Sequence, residues 1–168
     1  MTQEKTVLVA GSQGVIGRAT AAHWVEQLGT TVYGLSRRNV TKSEGVQHIS
    51  VDLLNAQDVQ AKLGPISDVT HIVFAAYIHR PTDAELIEPN VAMLRNLLDV
   101  VERQSRRLRH VTLYQGGKAY GAHLGPFKTP GREDDPGHMP PNFYYNQEDL
   151  LRERHVNERQ NSWDTVVE

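Results

Sequence analysis

Glycines at 11, 14 and 17 stand directly behind the apolar run Val7, Leu8, Val9 and Ala10. This spacing implies a particular chemistry. An amphipathic stretch follows, so the segment predicts a buried strand, a tight turn and a helix start, the opening unit of a dinucleotide-binding sheet. Gly11 permits the turn, Gly14 lets the backbone approach a pyrophosphate, and Gly17 lets the helix pack closely on the strand. The phosphates then lie against the positive end of the helix. Gln13, Val15 and Ile16, between those glycines, are expected to line the same site. Any tight strand-to-helix turn also selects glycine, so the reading rests on the strand-turn-helix context around the motif.

In doubly wound folds the ligand lies outside the carboxyl ends of the strands, and those ends supply the other candidates. The second predicted strand runs into Ser36, Arg37 and Arg38. An NAD-selective protein would place an acid there to bind the ribose diol. Two guanidinium groups instead suit a 2′-phosphate, by charge and by their planar fork of donors, so NADP(H) is the expected cofactor. A solvated loop is the plain alternative. Asp52, with Leu53 beside it, follows the third strand and could accept from the adenine amino group; a turn or cap residue explains the aspartate equally well. Ala75 and Ala76 end the fourth strand and leave space for a cofactor to pass, or simply pack.

The fifth strand ends in Tyr114, Gln115, Gly116, Gly117 and Lys118, and a later helix opens with Asn142, Phe143, Tyr144 and Tyr145. Dehydrogenases commonly pair a tyrosine with a lysine one helical turn on, where the cation lowers the phenol's pKa. Here Glu148 and Asp149 occupy those positions, and a carboxylate there would raise the pKa. That pairing is ruled out. Lys118 is the one lysine placed to take the part; Lys128 lies further out. Read without context, Lys118 is a loop lysine and the tyrosines are core aromatics with a wet hydroxyl.

Apolar periodicity places strands at 6–10, 31–35, 46–51, 69–75 and 108–114, with helices at 16–28, 56–63, 89–104 and 143–161. The first helix is expected to turn Ala19, Ala22, Trp24, Val25 and Leu28 inward and to stop at Gly29. Pro89 suits the first turn of the third helix, and arginines near that helix's end suit its dipole. Alternating strands and helices predict a Rossmann-type doubly wound parallel sheet in the order 3-2-1-4-5-6. Residues 121–141 carry nine glycines and prolines without periodicity. The connection, counted from 119, is expected to be an active-site loop. Residues 163–168 look like the first half of another strand, which suggests a fragment of a longer protein with the sheet incomplete at that edge.

With 168 residues the chain has room for one domain with a proper core. A net charge of −2 with interspersed signs gives no electrostatic case for nucleic acid. The absence of a long apolar run predicts no membrane association and a cytoplasmic protein. No cysteine is present, which removes disulfides and thiolate sites, and none of the eight histidines pairs at helical ligand spacing, so no metal is expected. The helices at 89–104 and 143–161, or the sheet edge, could support a homodimer.

Together these segments resemble the progesterone 5β-reductase and iridoid synthase-like group of atypical short-chain dehydrogenases, within the epimerase/dehydratase superfamily. The resemblance is carried by residues 11–17, by Ser36-Arg37-Arg38 and by residues 116–120. Gly125-Pro126-Phe127 and residues 142–145 with Glu148-Asp149 complete it. It implies that Lys118 and Tyr144 are the catalytic pair of an NADPH-dependent reductase acting on an enone C=C bond. Hydride would reach the β-carbon, Tyr144 would hydrogen-bond the substrate oxygen, and Lys118 would support the tyrosine and the ribose. Two positions depart from the group: Gln115 stands for a usual threonine and Ala119 for a usual histidine. Members of the group are about twice this length, so the resemblance implies an NADP-binding domain over 1–168 without its substrate domain. A sugar-nucleotide epimerase or dehydratase, or a non-catalytic NADP sensor, are the rival readings.

Overall fold

A computed structural model describes residues 4–27, 29–38, 43–132, 134–157 and 164–167. Six strands form one sheet: β1 (Lys5–Ala10), β2 (Thr30–Ser36), β3 (Val46–Ser50), β4 (His71–Phe74), β5 (His110–Leu113) and β6 (Asp164–Val167). All neighbours run parallel, in the order β3-β2-β1-β4-β5-β6. This is the predicted doubly wound order. The expected sixth strand pairs with β5 through Asp164–Val167; Trp163 and Glu168 lie outside the described residues.

Four helices flank the sheet: α1 (Val15–Val25), α2 (Ala56–Leu63), α3 (Asp83–Gln104) and α4 (Phe143–Asn157). Alternation along β1 divides the core. Leu8 and Ala10 join Leu35, Phe74, Leu94, Leu97, Val111 and Leu151 in the larger cluster, which α2, α3 and α4 cover. Val7 and Val9 join Ala21, Val32 and Val73 on the opposite side, under α1. On that side His71 packs on Trp24 and His110, and burial pushes its pKa down to about 4.

Two predicted details are corrected. In α1 the buried residues are Gly17 and Ala21, with Trp24 and Val25 half-buried, while Ala19 and Ala22 face solvent. The inward stripe is set by Gly17 against the glycine turn, which rotates the helix away from the expected phase. Leu28 lies outside the described residues. The second correction concerns Pro89, which sits inside α3 rather than in its first turn. A capping box fixes the start six residues earlier: the Thr82 hydroxyl accepts from the Glu85 N–H, and the Glu85 carboxylate accepts from the Thr82 N–H at 3.1 Å. A proline at that depth removes one helical hydrogen bond and crowds the preceding turn. The adjoining Asn90 is wholly buried and ties the helix to the connection before it. Its side-chain amide donates to the Leu86 and Ile78 carbonyls, its Oδ1 accepts from the Ile78 N–H, and its own carbonyl accepts from Gln147.

Element ends elsewhere agree with the sequence to within three residues; the largest difference is in α1, which closes at Val25 with Glu26 as its C-cap, before the stop expected at Gly29. The helix expected over 143–161 is described through Asn157, and residues 158–161 lie outside the described set. The loop is shorter by two residues than expected, because a 3₁₀ turn spans Gly117–Tyr120. Residues 121–141 hold neither helix nor strand among those described.

Candidate active site

The first-turn glycines do what their spacing requires. Gly11 has φ +80°, and a Cβ there would meet the Ala75 carbonyl oxygen at 2.7 Å and the Ala76 nitrogen at 2.8 Å. The close approach of the backbone at the β4 end thus leaves no room for a side chain at position 11. A Cβ on Gly17 would lie 2.2 Å from the Gly11 carbonyl oxygen, so that residue permits the helix to seat on the turn. Gly14 caps α1 without a side-chain bond, leaving amide N–H groups of the first turn for an anion. Val15 and Ile16, in that turn, are exposed.

A cavity of about 270 Å³ opens beside this helix end, lined by Gly11, Gln13, Gly14, Ser36, Arg37, Arg38, Leu53 and Ala76 from the predicted set. Leu35, Val51, Tyr77, Ile78 and Met93 complete it; sequence reading missed these, since four are apolar and Tyr77 lies in a connection with no motif to mark it. Arg37 and Arg38 are exposed and form no ion pair among the described residues. Ser36 donates to the Arg38 carbonyl at 3.0 Å, and Ser50 donates to that of Arg37, shaping the loop that presents both guanidinium groups. Asp52 lies outside the lining; its Oδ1 accepts from the Leu54 N–H at 3.1 Å, a turn role. Gly17 and Ala75 are packing residues, one step behind the wall. An uncapped helix end and two unpaired arginines across one cleft fit a dinucleotide bearing a 2′-phosphate.

The catalytic candidates meet at the ends of β5 and α4. The Gly117–Tyr120 turn is fastened to the start of α4: the Asn142 amide donates to the Lys118 carbonyl at 2.9 Å, and the Tyr145 hydroxyl to that of Ala119 at 2.8 Å. Tyr145 also accepts from the His138 N–H, so its hydroxyl is structural. Tyr144, the expected catalytic tyrosine, is held differently. Its hydroxyl faces the Gly116 backbone, where an added Cβ would lie 3.3 Å away. Its ring lies against Phe143, which also packs on Tyr77.

Burial raises the Tyr144 pKa above the ordinary phenol value, with the Gly116 backbone and the Lys118 charge opposing and Tyr77 adding to the rise. The sequence predicted a rise from Glu148 and Asp149 instead. Glu148 is otherwise engaged: it accepts from Gln115 at 2.9 Å and pairs with Arg152. The Gln115 amide also donates to the Tyr144 carbonyl at 3.3 Å, tying β5 to the first turn of α4. Lys118 donates to Asp83 at 2.7 Å. Its partner was missed, although Thr82 and Glu85 spell a capping box that would have placed Asp83 at the start of α3. Among the described residues no cluster of histidine and carboxylate side chains could hold a metal, and no helix is long and apolar enough to cross a membrane.

Residues 7–167 match the NAD dependent epimerase/dehydratase family. The chain belongs to that family. Within it, the chain is similar to a 3-oxo-Delta(4,5)-steroid 5-beta-reductase of Arabidopsis thaliana, at 35% identity over 170 residues. It is also similar to an (S)-8-oxocitronellyl enol synthase of Nepeta racemosa, at 37% identity over 161 residues. These alignments take in 89% and 87% of this chain but 42% and 40% of the relatives. This epimerase/dehydratase chain therefore spans less than half the length of the curated relatives it matches. They bear out the resemblance read from the sequence. Among solved structures, a UDP-glucose 4-epimerase from Bifidobacterium longum in complex with NAD+ and UDP shares the fold. Its TM-score is 0.77 at 19% identity, covering 97% of this chain and 52% of the other.

Proposed function

We propose that residues 1–168 form the NADP-binding domain of a reductase acting on a carbon–carbon double bond conjugated to a carbonyl. The observation that carries this reading is the Tyr144 hydroxyl, half-buried against the Gly116 backbone, with Lys118 arriving from the β5 end instead of from α4. A phenol held neutral by partial burial donates a hydrogen bond to an oxygen on which charge develops, where a preorganised donor stabilises most. The similar reductase and enol synthase support the same chemistry. Bound NADPH would supply the hydride to the β-carbon. The amide groups at the start of α1 hold its pyrophosphate, Arg37 and Arg38 grip the 2′-phosphate, and Lys118 supports Tyr144. Residues 121–141, with Leu124, Phe127 and Met139 exposed, act as the lid that excludes water, in a cytoplasmic enzyme.

The test is NADPH consumption by this chain with a simple cyclic enone, with NADH in parallel. NADPH-preferring consumption that falls about 10²–10³-fold in Tyr144→Phe is expected. Full turnover by Tyr144→Phe would remove the phenol from the reaction. Tight NADPH binding with no consumption would make the chain a cofactor sensor.

Self-association through α3 and α4 is not favoured by their surfaces. Exposed positions such as Glu88, Arg95, Arg103, Asn146, Asp149 and Glu153 are polar, and the apolar stripe of α3 is buried within the chain.

A further inference from the structure

Asp83 occupies the first position of α3, and both of its carboxylate oxygens face groups of the catalytic corner. Oδ1 accepts from the Lys118 ammonium at 2.7 Å, and Oδ2 lies 3.8 Å from the His123 Nε2. The capping box fixes Asp83 on one side, and the Asn142 bond fixes the Lys118 backbone on the other. His123 is largely buried, and its Nδ1 has no hydrogen-bond partner among the described residues. The groups that face Tyr144 are the Gly116 backbone from the β5 end, Tyr77 from the β4–α3 connection, Phe143 from its own helix and Lys118. Asp83 and His123 complete the set one contact further out.

We propose that Asp83 is a positioning residue that anchors the Lys118 ammonium and offsets its charge, so that the Tyr144 hydroxyl works as a hydrogen-bond donor and not as a base. An isolated ammonium beside a phenol favours the phenolate, the form that abstracts protons. Pairing the ammonium with a carboxylate replaces a point charge by a short dipole, whose field at the phenol is weaker. Burial of Tyr144 acts in the same direction. Enone reduction needs the donor form, so this inference rests on the reductase reading for its purpose, though not for its test.

That test is the titration of the Tyr144 phenol in the whole chain, followed by tyrosine NMR and assigned against Tyr144→Phe, with neither cofactor nor substrate present. Asp83→Asn should shift the Tyr144 midpoint downward, and Asp83→Glu should leave it near the native value. Placed in a Lys118→Met background, Asp83→Asn should lose that downward shift. An unmoved midpoint in Asp83→Asn overturns the proposal, as does an equal shift without Lys118. If Asp83→Asn does not fold, Asp83→Ser serves as the same neutralising variant under the same criteria. In turnover assays, the alkaline limb of the rate profile should move to lower pH in Asp83→Asn. A failed enone assay with the titration shifts intact would sink the reductase reading and leave the role of Asp83 standing.

Discussion

The two ends of the candidate site are built from different materials. The nucleotide cleft is shaped by backbone: a positive φ at Gly11, contacts that leave no room for a side chain at Gly11 or Gly17, and an uncapped helix end. The catalytic corner is shaped by side chains that join distant segments: Lys118 to Asp83, Asn142 to Lys118, Gln115 to Tyr144 and Glu148. A backbone-built site fails abruptly when an atom is added. A side-chain-built site should lose function in portions, one bond at a time.

The sharpest way to break this contrast is Gly17→Ala. Its Cβ would meet backbone that cannot move independently, so a loss of about 3 kcal/mol of stability is expected, with NADPH binding lost as well. Thermal unfolding and cofactor titration read both, and a native melting curve would show that the turn relaxes. Next in size comes Arg37→Ala with Arg38→Ala, which leaves the backbone cleft intact. NADPH affinity should fall roughly tenfold to a hundredfold while NADH affinity barely changes, because charge-assisted bonds to the 2′-phosphate are lost alone. Equal losses for both cofactors would place the arginines elsewhere. The smallest effect expected is that of Gln115→Leu. Losing its two bonds should cost about 1 kcal/mol of stability and lower kcat more than it raises KM, since Tyr144 would be aimed less well. A KM effect alone would assign Gln115 to substrate contact.

The same contrast explains what the sequence made legible. The glycine turn, Arg37 and Arg38, and the strand order follow from local spacing and alternation, which a linear chain displays. Lys118 was singled out by residue type and by the missing helical partner, and Tyr144 by the resemblance to the reductase group. Asp83 was not, and Gln115 was noted only as a departure from that group, because each acts through a residue at least 29 positions away, and neither type nor period marks such a pairing. The phase of α1 was misjudged for a related reason. Ala19 and Ala22 are apolar enough to be buried, but a tertiary contact at Gly17 sets the rotation of the helix. Pro89 misled in the opposite sense: its fixed φ suits a helix start, while the Thr82 and Glu85 pair, which starts the helix six residues before it, overrode it.

Asn90 has a consequence for how this chain can diverge. One buried side chain serves two carbonyls and an amide, and its own carbonyl serves Gln147. Aspartate would keep the acceptor and strand both carbonyls; leucine would strand all three groups; glutamine would need an extra methylene of space. None of these three reproduces two donors and an acceptor in the same space, so the asparagine carboxamide is what joins α3 to the connection before it. Arg37, Arg38 and Gln115, by contrast, lie on partly open surface, where water can reach the groups that a substitution would leave.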